Sequence, residues 1–307
     1  MQSIVCRGLS KTYSKGSKAL DSVSFKFEGN GILAIIGRNG AGKTTLIRIL
    51  ATELMPTKGT ALINGIDLIK EPKKIREFIA IVPQEAKAVH WLTPKQTVVS
   101  YLMYRGIGFS QAKIKAEESL KKLALEKQIN KLNRLLSGGT KRKVLVATVL
   151  SSGAKIIFLD EPTTGLDPIS RSDLWKLLNT LKKEYLIVLT THYLEEAERL
   201  ADKIGIMEQG KLLAFDTLNE LRKKLKYKYS IKIIGTEIKI NYKDAVSING
   251  IDGNQQILTN ENRSSQISQM LIKKGVKFST NMITLEDIFY YLVKKSIIEE
   301  NEDNDES

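Results

Sequence analysis

A glycine-rich loop that follows a wholly apolar segment constrains this 307-residue chain more than any other feature. Ile32 to Ile36 has the length and composition of a buried strand, and Gly37 to Thr44 fits the pattern G-x-x-x-x-G-K-[ST]. Glycines let the backbone wrap around phosphates, so that N–H groups and the positive end of the next helix face them. Lys43 would neutralise the β- and γ-phosphates, and the Thr44 hydroxyl would ligate Mg²⁺. The predicted nucleotide-binding residues here are Gly37, Arg38, Asn39, Gly40, Ala41, Gly42, Lys43, Thr44 and Thr45.

Two further apolar segments end in polar residues that suit phosphoryl transfer. Lys155 to Leu159 precedes Asp160 and Glu161, and Leu186 to Leu189 precedes residues 190–192, the last of which is a histidine. Buried strands separated by helices predict a mainly parallel sheet, whose chemistry gathers at the carboxyl ends of the strands. Asp160 would hold Mg²⁺ directly or through water, and Glu161 would be the general base for the attacking water.

A short motif, Leu136 to Thr140, precedes a helical stretch and offers a second place for phosphate. Its Ser137, Gly138 and Gly139 would present a hydroxyl, backbone N–H groups and a helix N-terminus. Such a sequence is often only a loop and a cap, and its weight here comes from its position upstream of Asp160 and Glu161. After these carboxylates, a turn-rich segment places Asp167 where it could reach a neighbouring subunit.

The pattern of segments predicts an α/β fold with two parts. We expect a P-loop NTPase core with a mainly parallel sheet, N-terminal antiparallel strands and a helical insertion, plus a small C-terminal α+β domain. The predicted boundaries are 1–221 for the ATP-binding domain, with its insertion at about 86–135, and 222–298 for the accessory domain. The last segment, 299–307, holds six acids and no base, and we expect it to be a disordered tail.

The amino-acid composition limits the cellular compartment and the classes of partner that this chain would suit. One cysteine, Cys6, excludes an internal disulfide and a cysteine-rich metal site, which favours a reducing cytoplasm. Apolar runs are far shorter than the roughly 20 residues of a spanning helix, so we expect any membrane role to depend on a partner. The net charge of +14 could serve nucleic acid or an anionic membrane, but scattered surface lysines explain it as well.

Taken together, these residues resemble the ABC ATPase family over about residues 1–220. The matching features, in the family's order, are the phosphate loop, Gln84, LSGG at 136–139, IIFLDEP at 156–162, GLD at 165–167 and His192. The resemblance implies two such domains closing head to tail, with each ATP between one subunit's phosphate loop and the other's LSGG. It further implies that Gln84 contacts Mg²⁺ and the attacking water, and that His192 hydrogen-bonds the γ-phosphate. Tyr13 occupies the position of the aromatic residue that stacks on adenine.

One departure from the family pattern points to a subgroup. Thr140 stands where glutamine is common and is followed by Lys141, Arg142 and Lys143, which looks like lipid exporters and bacterial drug-resistance exporters. A segment at 284–289, TLEDIF, is similar to a motif near the end of those ATPases. The resemblance implies ATP and Mg²⁺ as ligands, a separate integral membrane permease and a second ABC ATPase subunit as partners, and a place at the cytoplasmic face of the membrane. No nucleic acid is expected.

Two alternatives remain open on sequence alone. A soluble ABC ATPase acting on ribosomes or DNA would suit the positive charge, but such proteins usually carry two ATPase domains, a long coiled coil or an iron–sulfur domain. This chain shows one phosphate loop, no sustained heptads and one cysteine. A small-molecule kinase with a phosphate loop would leave LSGG and His192 without a purpose.

Overall fold

A computed structural model describes residues 1–14, 16–235, 238, 242–249 and 254–305 of the chain. The chain divides into two compact units, Met1–Leu212 and Leu213–Ser307. The predicted boundary at residues 221 and 222 lies further along, after most of the helix Leu218–Lys224. The basic run that suggested this boundary is the last turn of that helix, where positive side chains suit the helix dipole. The functional division into domains stays a prediction.

The elements up to the unit boundary alternate between strands and helices. In chain order they are β1 (Ser3–Thr12), β2 (Lys18–Glu28), β3 (Gly31–Ile36), α1 (Lys43–Leu50), β4 (Lys58–Ile63), β5 (Ile66–Asp67), α2 (Pro72–Arg76), β6 (Ile79–Val82), α3 (Pro94–Tyr104), α4 (Phe109–Lys122), α5 (Gly138–Ser151), β7 (Ile156–Asp160), α6 (Pro168–Leu181), β8 (Leu186–Thr191), α7 (Leu194–Leu200), β9 (Lys203–Glu208) and β10 (Lys211–Asp216). The unit boundary falls inside β10.

The N-terminal strands form an antiparallel sheet in the order β2-β1-β4-β5. Ile4 pairs with Phe27 and Cys6 with Phe25, and all four side chains are buried. Burial at alternate positions is what a strand with one covered face requires. The predicted N-terminal antiparallel strands are therefore confirmed.

The central sheet has the order β10-β9-β3-β8-β7-β6 and sets the geometry of the site. β3, β7 and β8 are buried along their whole length, as strands covered on both faces should be. β8 lies between β3 and β7 and runs parallel to both, with Thr191 beside Ile36 and Thr190 beside Asp160. The carboxyl ends of these three strands consequently meet at one edge. This confirms the predicted α/β core with a mainly parallel sheet.

Between β6 and β7 the described residues form helices and no strand, which agrees with the predicted helical insertion. α3 starts with a capping box between Thr93 and Gln96, and α5 starts after Ser137, whose side chain caps it. Short 3₁₀ turns at Glu126–Gln128 and Asn133–Leu135 connect α4 to α5.

The second unit contains α8 (Leu218–Lys224), β11 (Tyr229–Ile233), β12 (Ala245–Asn249), β13 (Gln255–Thr259), α9 (Glu261–Lys273), β14 (Phe278–Met282) and α10 (Leu285–Asp305). Its antiparallel sheet has the order β12-β13-β11-β14. Side chains of the sheet and of α9 share a core made of Ile231, Ile233, Ile257, Ile267 and Leu271. The predicted strands at 229–234 and 255–258 correspond to β11 and β13. The strand predicted at 237–240 falls almost wholly outside the described residues.

The acidic segment at the end of the chain differs from expectation. α10 continues to Asp305, so the segment predicted as a disordered tail is helical over 299–305. A helix that is already nucleated extends at little cost, since each added residue gains one hydrogen bond. Within the described residues, no helix combines the length and hydropathy that crossing a bilayer requires.

Candidate active site

The glycine-rich loop adopts a conformation that only glycine permits at two positions. Gly42 has φ +99°, and a Cβ there would lie 2.3 Å from the carbonyl oxygen of Ala19. A Cβ on Gly37 would lie 2.4 Å from the carbonyl oxygen of Met207. α1 begins directly after Gly42, so the loop delivers backbone N–H groups and a helix N-terminus to one place.

Lys43 is held inside this loop. Its Nζ donates hydrogen bonds to the carbonyl oxygens of Gly37 at 2.9 Å and Arg38 at 3.1 Å. The same atom lies 3.5 Å from Oε1 of Glu161, and both side chains are buried. The ammonium group is therefore fixed at the point where the loop meets the end of β7.

Thr44 and Asp160 come together as a pair of hard oxygen ligands. Thr44 Oγ1 donates to Asp160 Oδ1 at 3.3 Å, and Thr190 Oγ1 donates to the same oxygen at 2.5 Å. A hydroxyl and a carboxylate beside a phosphate-binding loop fit Mg²⁺, which is usually bound by one or two carboxylates together with substrate phosphates and water. Groups of three or more His, Cys, Asp or Glu that could hold a metal do not occur among the described residues.

Glu161 is buried and has an unusual backbone for a residue with a side chain, with φ +51°. Its N–H donates to the backbone oxygen and Oγ1 of Thr190, at 3.2 and 3.0 Å. On the carboxylate, Oε2 accepts from Thr164 Oγ1 at 2.9 Å and lies 2.5 Å from His192 Nδ1. The carboxylate thus faces the loop and His192 from a fixed position.

These groups line one cleft of about 380 Å³. Its lining residues are Ala19, Asn39, Gly40, Gly42, Lys43, Thr44, Thr45, Gln84, Glu161, Thr164 and His192. The three residues predicted as catalytic, Glu161, His192 and Gln84, are therefore together. The arrangement can bind polyphosphate and place a carboxylate next to it.

Tyr13 lies at the margin of this cleft. Its hydroxyl is 3.3 Å from Oγ1 of Thr45, which lines the cleft, and its ring is partly exposed, with Lys11 Nζ 5.5 Å from the centroid. An accessible ring beside the phosphate loop has room for a base, but stacking on adenine stays a prediction.

The LSGG residues and Asp167 do not reach the cleft. Ser137 Oγ accepts from Thr140 N at 3.3 Å as the cap of α5, and Gly138 lines a different cavity of about 560 Å³. Asp167 caps α6, and hydrogen bonds from Ser170 lower the pKa of its carboxyl. Gly139 packs closely at this point, because a Cβ there would lie 2.5 Å from Ser170 Oγ. Within one chain, these residues do not line the cleft of the phosphate loop, although Gln84 and Thr164 line both cavities.

Sequence reasoning missed Thr164 and Thr190 as parts of the site. Thr164 bonds the predicted general base, and Thr190 bonds both Asp160 and Glu161. A usable signal existed for Thr190, because it ends an apolar strand that parallels the strand ending in Asp160. Thr164 lies in a turn, where no pairing with a neighbouring strand could indicate its position from the sequence.

Comparisons with known proteins agree on one family. A sequence model of the family described as ABC transporter matches residues 20–164. A doxorubicin resistance ATP-binding protein of Mycobacterium tuberculosis is 39% identical over 221 residues, which are 71% of this chain and 67% of the relative. The daunorubicin/doxorubicin resistance ATP-binding protein of Streptomyces peucetius is 36% identical over 225 residues, 73% of this chain and 68% of that protein.

Solved structures are similar over a comparable share of the chain. A dimeric ATP-binding cassette in a post-hydrolysis state, bound to ADP and Pi, matches with a TM-score of 0.62 and 27% identity, over 70% of this chain and 98% of the cassette.

The human retinal-specific phospholipid-transporting ATPase is a further relative by sequence. It is 37% identical over 202 residues, which are 66% of this chain and 9% of that much longer protein.

Proposed function

This chain belongs to the ABC transporter family of ATP-binding proteins, and from that premise we propose that it hydrolyses ATP to drive export through a separate membrane permease. It is an ATP-binding, ATP-hydrolysing subunit, and the predicted resemblance to drug and lipid exporters is confirmed. The observation that carries the proposal is the meeting of Lys43, Thr44, Glu161 and His192 in one cleft. Relatives named for drug resistance support export rather than import, and we place the subunit at the cytoplasmic face.

The proposed reaction is in-line attack of water on the γ-phosphorus of ATP. The bond between that phosphorus and the β–γ bridging oxygen breaks, ADP leaves with the electron pair, and Glu161 takes a proton from the attacking water. Lys43 balances the phosphate charge, and His192 hydrogen-bonds the γ-phosphate. Thr44, Asp160 and Gln84 would hold Mg²⁺, which would neutralise charge on the β- and γ-oxygens.

We place the second half of each site on another subunit. Ser137, Gly138 and Gly139 carry the features of a phosphate cradle but do not line the cleft of their own phosphate loop. A head-to-tail dimer would bring these residues to the partner's ATP, with Asp167 beside them. The dimeric ATP-binding cassette named above, with ADP and Pi bound, supports this arrangement for a related protein.

A groove next to the cleft offers a seat for the permease. It encloses about 780 Å³ and is lined by Pro83, Tyr101 and Tyr104, among others. Arg105 stiffens one wall by donating to the carbonyl oxygens of Arg76 and Ile79, at 2.7 and 3.1 Å. Tyr104 is 91% exposed and lines the groove, so its ring is accessible to a partner.

Pro83 and the next residue, Gln84, line the groove and the cleft respectively. A helix seated in the groove could therefore shift Gln84 through the chain itself. Val98 and Leu102 lie on the same helix as Tyr104 but are fully buried, so they are not available to a partner.

The test compares ATP hydrolysis with and without membranes that contain the cognate permease. We expect stimulation by the permease, and loss of that stimulation in Tyr104→Ala with basal hydrolysis within about twofold of wild type, as for a surface change. Ile114→Ala is the matched control, because Ile114 is exposed on α4 and does not line the groove. Salt-sensitive stimulation by RNA or DNA, with none from any membrane protein, would overturn the transporter proposal.

A further inference from the structure

Arg142 is a buried cation that the reaction described above does not use. It lies on α5 and is only 8% exposed. Its guanidinium group donates from Nη2 to the carbonyl oxygen of Glu161 and from Nε to that of Pro162, both at 2.7 Å. One planar side chain therefore holds two consecutive peptide groups directly after β7.

The peptide groups that Arg142 holds belong to a strained turn. Glu161 has φ +51°, a conformation that costs a non-glycine residue free energy and persists only when its surroundings enforce it. Thr190 fixes the N–H side of Glu161, at 3.0 and 3.2 Å. Arg142 fixes the carbonyl side. These two contacts set the direction in which the Glu161 carboxylate leaves the backbone.

Burial and nearby acids act in opposite directions on the charge of Arg142. Burial lowers the pKa of the Arg142 guanidinium, and the carboxylates of Asp160, Glu196 and Glu161 act in the opposite direction. Glu196 is fully buried and accepts a hydrogen bond from Trp175 Nε1 at 2.9 Å. The two hydrogen bonds of the guanidinium group, to the carbonyl oxygens of Glu161 and Pro162, leave it little freedom to move.

We propose that Arg142 is a positioning residue for Glu161 of its own subunit, and that it sets the rate of ATP hydrolysis by fixing the backbone of this turn. The inference rests on the proposed role of Glu161 as general base. The proposed role gives a specific purpose to Arg142, one residue of the basic run after LSGG. Arg142 lies on the helix that Ser137 caps, so a rival role is support of the LSGG surface. The experiment must separate these two.

The first measurement is steady-state hydrolysis by the full chain carrying Arg142→Gln or Arg142→Lys. Misplacing a catalytic group by about 1 Å can cost about 10²-fold in rate, so we expect kcat to fall about 10- to 100-fold in Arg142→Gln. The KM for ATP and the Kd of ATP should stay within about twofold, because Arg142 does not line the cleft. Arg142→Lys keeps the charge that the buried acids require but cannot span two carbonyls, and we expect an intermediate kcat.

Lys143→Gln is the control, because it removes the same charge one residue along the same helix. A normal kcat in both Arg142 variants, or a rise in KM that accounts for the loss, would overturn the proposal. The lysine variant guards against misfolding, since it leaves Asp160 and Glu196 with a positive neighbour.

The second measurement repeats the Arg142→Gln change in a Glu161→Gln background and follows ATP-dependent association of subunits. We expect the double variant to associate and retain ATP as well as Glu161→Gln alone, because Arg142 would act only through the absent carboxylate. Weaker association of the double variant would show that Arg142 supports LSGG, and would overturn the proposal. If Glu161→Gln alone hydrolyses ATP like wild type, the role of Glu161 as general base fails, and this result does not depend on Arg142.

Discussion

At the scale of single residues, Glu161 is the residue whose backbone and side chain are most constrained. Its carboxylate is fixed by Thr164, His192 and Lys43, while its backbone is held in the left-handed region. Glu161→Gln keeps the shape of this group but removes its ability to accept a proton. We expect ATP to bind normally and kcat to fall about 10²- to 10⁴-fold, the range typical of general base catalysis.

Retained ATP should then hold two Glu161→Gln subunits together, which size-exclusion chromatography with and without ATP would detect. Glu198→Gln is a control that changes a carboxylate on α7 outside the cleft. Hydrolysis by Glu161→Gln within a few-fold of wild type would refute the assignment.

Thr190 makes a second prediction possible at this scale. Its hydroxyl donates to Asp160 and accepts from the Glu161 N–H, so Thr190→Val removes both contacts while keeping the shape of the side chain. We expect a higher Mg²⁺ concentration for half-maximal activity and a loss of stability of about 1–3 kcal/mol, measured by denaturant unfolding. Thr180→Val, at an exposed position on α6, should change neither quantity. Unaltered Mg²⁺ dependence in Thr190→Val would show that the hydroxyl does not orient Asp160.

Residues with a fixed spacing pattern could be predicted, and residues that act through contacts across strands could not. The loop, Asp160 and Glu161 follow from their order after apolar strands. Arg142 and Thr164 act through hydrogen bonds between elements, and no spacing in the chain fixes those partners.

At the scale of elements, two helix N-termini form different parts of the proposed site. α1 begins at Lys43, inside the cleft, whereas α5 begins after Ser137, which does not line the cleft. Lys43→Ala should weaken ATP binding itself, because it removes the charge that faces the phosphates. Ser137→Ala should leave ATP binding by a single subunit nearly intact and impair hydrolysis, because Ser137 is proposed to act on the other subunit's nucleotide.

Mixing the two inactive variants tests whether the sites are shared between subunits. A dimer of Lys43→Ala with Ser137→Ala contains one site with both parts intact, and its activity should recover to as much as half that of wild type. Lys43→Ala alone and Ser137→Ala alone, at the same total concentration, are the controls. Absence of any recovery, when association of the two variants is verified, would contradict the head-to-tail arrangement.

The elements that could be predicted well from the sequence are the strands that are buried along their whole length. Because β3, β7 and β8 are buried on both faces, each is a continuous apolar run that can be recognised in the sequence. β14 reads FSTNM and is largely exposed, so it carries no alternation from which a strand could be recognised. Its pairing with β11 comes from the tertiary fold of its unit.

At the scale of the whole molecule, the ATPase part and the C-terminal part differ in what the sequence reveals. The motifs of the first unit constrain one another in order and distance, so fold and family could be inferred together. The second unit has a core of its own around Ile231, Ile257 and Ile267, and its segment TLEDIF at 284–289 points to the exporter subgroup without assigning a role to the unit. We propose that residues 222–298 form an accessory domain that serves dimer contact or regulation.

Truncation tests whether this second part can be removed. A chain that ends after Leu221 keeps β10 whole, together with every residue proposed to bind ATP or Mg²⁺, whereas a chain that ends after Leu212 cuts β10. We expect the longer truncation to bind ATP with a Kd within a few-fold of the full chain, as measured by titration with a fluorescent ATP analogue. The shorter one should be less stable, because cutting β10 exposes the ladder of β9, its neighbour in the central sheet. If the chain ending after Leu221 fails to fold while the full chain folds, the two parts depend on a common core, and the proposal of an accessory domain is wrong.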